Sequence, residues 1–176
     1  FATNYKYPIL LAKVNNRLKE LSSTIKENAT IEFLDLTSKE GNRSHISGVT
    51  YILLTAIKKV FGRKANIVVQ HSLDKGIYIE TNFKINEEKL KKIKETMDSI
   101  SKADMPITKV NIDRIEAINY FESIGDFTKA GVMTYNTNNF ITLYRLGNNY
   151  NYFYNLMPIS TERLRDYELT YIKDNG

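Results

Sequence analysis

The sequence predicts an α+β protein, a small β-rich unit followed by a larger two-layer unit. Three observations carry this reading. Short strand-like runs broken by turn residues fill residues 7–36, three later stretches carry apolar residues or caps at helical spacing, and from residue 140 the chain returns to strand-like runs.

Taken in order, residues 9–14 form a β-rich run ended by the turn pair Asn15-Asn16. Residues 31–36 (IEFLDL) alternate imperfectly, with Ile31 and Phe33 on one face and Glu32 and Leu34 on the other. Gly41 and Asn42 mark a loop. A helix is expected over 47–61, where Val49, Ile52, Leu53, Ala56, Ile57 and Val60 repeat as a buried stripe. Gly62 then ends it, since glycine readily takes the left-handed backbone. Runs 67–70 and 76–83 read as paired strands joined by a glycine-bearing loop at 72–76. A second helix over 86–102 has Asn86 as cap, Glu87 and Glu88 at its positive end, and Leu90, Ile93, Met97 and Ile100 as its seam. After Pro106, a strand at 107–110 leads to a third helix with Asp113 and Glu116 at capping-box spacing, ending near Gly125. Strands are expected at 140–146, 150–156 and 164–172.

The balance of 42% hydrophobic and 26% charged residues over 176 positions is that of a soluble globular protein with room for a core. No apolar run approaches the roughly 18 residues of a membrane span, so no membrane partner is expected. The first residue is Phe1 and not Met, which is expected of a fragment or of a processed piece. Cysteine is absent, which removes disulfides, thiolate metal ligands and thiol nucleophiles together and fits a reducing, cytoplasmic setting. Twenty-five basic against 20 acidic residues leave a net +5, which permits contact with phosphates but does not by itself argue for it. The Lys-rich stretch at 89–94 reads as the solvated side of a helix.

The eight glycines never fall at the G-x-G or G-x-x-x-x-G-K spacing that lets a backbone cradle a phosphate. The two histidines, His45 and His71, lie too far apart for an H-x-x-x-H metal pair and read as structural. No serine is marked as a nucleophile on a strained elbow. The aromatics at 150–154 have the composition of a base-stacking strand or of a core strand.

The order of motifs carries a resemblance. The runs PILLAKVNNRLKEL (8–21), ATIEFLDL (29–36) and EGNR (40–43) resemble a TGS-type, ubiquitin-like β-grasp module. The helix segment TAIKKVF (55–61), the hairpin KGIYIE (75–80) and the closing PISTERL (158–164) resemble the second additional domain of threonyl-tRNA synthetases, shared with alanyl-tRNA synthetases, which hydrolyses mischarged tRNA. The resemblance implies two modules, 1–43 and 44–176. Proteins with this pair are threonyl-tRNA synthetases and bacterial uridine kinase-like nucleoside kinases. The details VNNRL (14–18), HSL with Lys75-Gly76, and YFY (152–154) resemble the latter. The chain is therefore expected to be the non-catalytic amino-terminal region of a nucleoside kinase. ATP and Mg would belong to a separate phosphotransferase domain, and this region would hold no cofactor of its own. That kinase domain is an expected partner, with RNA or a nucleotide as a further ligand. The alternatives are a divergent aminoacyl-tRNA ester hydrolase of a threonyl-tRNA synthetase-like protein, or an interaction module.

The synthetase editing site, by the same resemblance, has an H-x-x-x-H on its helix and a C-x-x-x-H before its Pro-Ser-Thr loop. Ser47 and Tyr51 stand at the first pair here, and Phe153 and Met157 at the second, so the metal set is expected to be lost. The kinase-family loop PSTGYL is replaced by ISTERL at 159–164. Arg43, His45, Lys75, Tyr78, Tyr152, Ser160, Thr161 and Arg163 are the candidate ligand or RNA contacts.

Overall fold

The computed structural model describes residues 5–73 and 76–172, with only the backbone of 70–73. The chain leads with a hairpin, β1 (Leu11–Val14) and β2 (Arg17–Glu20), in the register Val14↔Arg17 to Leu11↔Glu20. Asn15 and Asn16 turn it with φ of 48° and 63°, the left-handed pair a two-residue hairpin needs and asparagine tolerates. β3 (Ile31–Leu34) pairs antiparallel with the other edge of β1, giving the order β2-β1-β3. The alternation read for β3 is shifted in the fold. Ile31 is exposed and Leu34 is the buried residue, packing with Leu10 and Leu11 against Leu18, Leu36 and Leu156.

Helix α1 (Lys39–Phe61) starts a full two turns before the expected position 47, and Gly41 and Asn42 lie inside it. Ser38 is its cap: the Oγ accepts from Gly41 N at 3.0 Å and donates to Asp35 O at 2.8 Å. Glycine at 41 follows from that turn, because a Cβ there would sit 1.9 Å from Asp35 O. Further along, residues 51–57 are all buried, so the middle of α1 is covered on every side, with Thr55 as its polar member. Gly62, with φ 97°, ends the helix as expected.

β4 (Ile67–Leu73) and β5 (Gly76–Thr81) form an antiparallel ribbon with a register shift between Val69 and His71. Lys75 lies outside the described residues. α2 (Glu87–Lys102) carries the expected cap, Asn86 Oδ1 accepting from Lys89 N at 2.9 Å, and buries Ile93, Met97 and Ile100. β6 (Ile107–Asp113) runs into α3 (Arg114–Ser123), where Asp113 accepts from Ile115 N at 2.8 Å. A fourth helix, α4 (Phe127–Thr134), was not expected. It is short, contains Gly131 and exposes Phe127 and Val132, so its apolar pattern is weak, and Asp126 capping Lys129 N at 3.1 Å starts it.

β7 (Phe140–Leu146) and β8 (Asn149–Asn151) form a hairpin through Gly147, φ 58°, in a sheet ordered β6-β7-β8. Two expected strands are corrected here. The run 150–156 stops at Asn151, and 164–172 is irregular, preceded by a 3₁₀ turn at Thr161–Arg163. After Asn151 the chain bonds to Ser47 and Glu20 through Asn155 and Met157 N in place of a ladder, and beyond Leu164 the residues are mostly exposed, so no apolar face holds a strand in register.

The observed class is α+β, four helices with small sheets among the described residues. Contacts divide the chain into a first unit of Phe1–Ile52, Ser99–Val110 and Thr142–Tyr167, and a second of Leu53–Asp98, Asn111–Ile141 and Glu168–Gly176. No helix among the described residues is long and apolar enough to cross a membrane.

Glycine in a helix interior normally gives way to alanine with a gain in stability of about 1 kcal/mol. Gly41→Ala is expected to do the reverse and lose about 2 kcal/mol, because the new Cβ meets a backbone carbonyl. Urea unfolding of the variant checks this.

Candidate functional site

The four positions where the synthetase ligands would stand all lie in the first unit. Ser47 and Tyr51 sit one turn apart on one face of α1, and the loop that leaves β8 brings Phe153 and Met157 back towards it. Phe153 packs on Tyr51 with ring centroids 5.3 Å apart and lies 6.4 Å from the Tyr144 ring. Asn155 Nδ2 donates to Ser47 Oγ at 3.0 Å. Met157 is fully buried, and Phe153 partly so.

The donor set does not fit a metal centre of the editing type. The Tyr51 hydroxyl lies 2.8 Å from both Tyr144 O and Asn149 O, so main-chain carbonyls take up its proton. Ser47 is engaged by Asn155, and Phe153 brings no donor atom. Among the described residues no group of three His, Cys, Asp or Glu could hold an ion.

The Ser160-Thr161 loop is occupied in a different way. Thr161 is fully buried; its Oγ1 donates to Ile100 O at 2.7 Å and accepts from Met105 N at 2.9 Å, closing the C-terminal turn of α2. Ser101 Oγ reaches Thr161 O and Leu164 O, each at 2.9 Å, from the other side. Ser160 bridges to Pro106. Arg163 Nη1 donates to Ile9 O at 2.9 Å, which joins this loop to the start of β1.

The other candidates are scattered. Arg43 is exposed on α1. His45, one turn before Val49, is buried, and burial holds its pKa below the ordinary imidazole value while Asp166 pulls it up. Its Nε2 and the Oγ of Ser44 have no hydrogen-bond partner among the described residues. Tyr152 is half-buried beside Tyr154, and the raised pKa of its phenol follows first from burial and then from Tyr154. Tyr78 belongs to the second unit, where it lines a cavity of about 700 Å³ with Leu53, Ile57 and Ile93.

One central residue escaped the sequence reading. Glu20, the last residue of β2, accepts from the Tyr144 hydroxyl through Oε1, accepts from Met157 N at 3.2 Å, and pairs with Lys109 Nζ at 3.2 Å through Oε2. Burial, then the hydrogen bond to Glu20, pushes the Tyr144 phenol far up. Nothing local in RLKE announces this role, since its partners lie more than 80 positions away.

No family model matches the chain. Among curated proteins its homologues are threonine–tRNA ligases. The ligase of Symbiobacterium thermophilum is 31% identical over 119 residues, 66% of this chain and 18% of the ligase. That of Desulforamulus reducens is 27% identical over 127 residues, 71% of this chain and 20% of the ligase. That of Syntrophotalea carbinolica is 23% identical over 162 residues, 90% of this chain and 25% of the ligase. The chain thus matches about a fifth to a quarter of the length of these relatives. The similarity agrees with the synthetase side of the resemblance and corrects its other side: the relatives carry the name of a tRNA ligase, and a nucleoside kinase parent finds no support.

Thr161→Val keeps the shape of the side chain and removes its hydroxyl, leaving Met105 N and Ile100 O unpaired. A loss of about 1–3 kcal/mol in unfolding free energy is expected. A histidine whose folded pKa is depressed contributes stability that is complete above its unfolded pKa of about 6.5 and is lost as pH falls below it. Unfolding free energy measured from pH 8 to 5 is expected to decline below pH 6.5, and His45→Phe to flatten that decline.

Proposed function

We propose that this chain is a threonine–tRNA ligase-like module that contacts tRNA and does not hydrolyse its aminoacyl ester. On this reading residues 1–43 are the TGS-like part and 44–176 the editing-domain-like part, and the chain holds no cofactor. The observation that supports the reading is the cluster of Ser47, Tyr51, Phe153 and Asn155, where a helix and a loop meet at the positions that the resemblance assigns to the hydrolytic site. With Ser47 and Tyr51 bonded within the protein and Phe153 bringing no donor, these positions supply no metal to polarise a carbonyl or activate water. Similarity to tRNA ligases over two thirds or more of the chain, together with the net charge of +5, supports RNA as the ligand.

The test is direct. Filter binding of the purified chain to tRNA is expected to give an affinity that falls roughly tenfold or more between 50 and 200 mM salt. Seryl-tRNA incubated with the chain, with and without added zinc, is expected to lose its ester only at the buffer rate. Accelerated deacylation would replace this reading with an active ester hydrolase, and absence of tRNA binding would remove RNA as the ligand.

A further inference from the structure

We infer that the Tyr152–Tyr154 pair is a stacking platform for unpaired RNA bases, with Arg145 of the adjoining hairpin as a cation for the RNA backbone. The inference rests on the reading of the chain as a tRNA-contacting module and names the part of the RNA this surface takes.

The argument begins with backbone alternation. β7 and β8 pair Arg145 with Tyr150 and Tyr144 with Asn151, and directly opposed residues in an antiparallel pair project to the same side. Asn151 and Tyr144 are buried, whereas Arg145 is exposed. Beyond the strand Phe153 packs onto Tyr51, Tyr152 is half-buried and Tyr154 is exposed. The two tyrosine rings meet edge to face, with centroids 5.1 Å apart at 78°. Tyr154 is 88% exposed, so almost all of a large ring faces water with one edge fixed by its neighbour.

An exposed tyrosine alone is ordinary, but this one is held. Phe153 on Tyr51, Asn155 on Ser47 and Met157 N on Glu20 pin the loop at every second residue from 153 to 157. A ring fixed before binding loses little freedom when a base stacks on it. Base stacking on such rings tolerates any sequence, and a guanidinium on the adjoining hairpin serves the RNA backbone. Duplex RNA buries its base faces, so the platform selects unpaired nucleotides.

Fluorescence anisotropy with a labelled oligoadenylate and a labelled tRNA tests this on the whole chain. Tyr154→Ala is expected to weaken oligoadenylate binding about five- to hundredfold while leaving the thermal melt unchanged, and Tyr154→Phe to retain it, because stacking needs the ring and not the hydroxyl. Arg145→Gln is expected to lower the slope of log affinity against log salt by about 1. Unchanged oligoadenylate binding in a Tyr152→Ala, Tyr154→Ala double variant would overturn the platform while leaving the tRNA reading in place. Wild-type chain that bound neither RNA would overturn both.

Discussion

The first unit turns on a single carboxylate. Glu20 is about nine-tenths buried as a side chain, and a charge so placed is tolerated only when its lone pairs are met. Tyr144 of β7, the main-chain N–H of Met157 and Lys109 of β6 meet them, and Lys109 also lies 5.4 Å above the Tyr144 ring. Three separate stretches of chain thereby converge on one residue of the opening hairpin. Removal of any partner leaves the others facing a charge they can no longer balance, so the register of β1 with β2 and the path of the 152–158 loop are set together.

With the loop set by Glu20 on one side, the closing turn is set on the other. Thr161 donates to the Ile100 carbonyl at the end of α2, Ser101 reaches back to the Thr161 and Leu164 carbonyls of the turn, and Leu164 closes against Gly48 of α1, where even a Cβ would lie 2.6 Å from it. Thr161 and Arg163, which look like chemistry in the sequence, are thus spent on hydrogen bonds that a folded chain of this shape requires.

That explains which features were legible. Caps and stops read correctly at Asn86, Asp113 and Gly62, because each acts through groups within three or four positions. The convergence of 47 and 51 with 153 was legible only through resemblance to a known frame, since nothing in the spacing of residues a hundred apart places them together. The start of α1 was misplaced because Gly41 signals a loop when its neighbours are counted along the chain. In the fold it answers to the carbonyl of Asp35, six residues before it. The strands lost after Asn151 and Leu164 fail for a related reason. Aromatic and β-branched residues promise a strand only where a partner edge and an apolar face await them.

The geometry at these positions does not depend on their chemistry. Helix spacing holds Ser47 and Tyr51 on one face whatever they are, and packing on the Tyr51 ring holds Phe153 against that face. The inward positions carry apolar or internally bonded side chains, and the contacts that engage Ser47 and Tyr51 also hold the backbone on either side of the exposed Tyr154 ring.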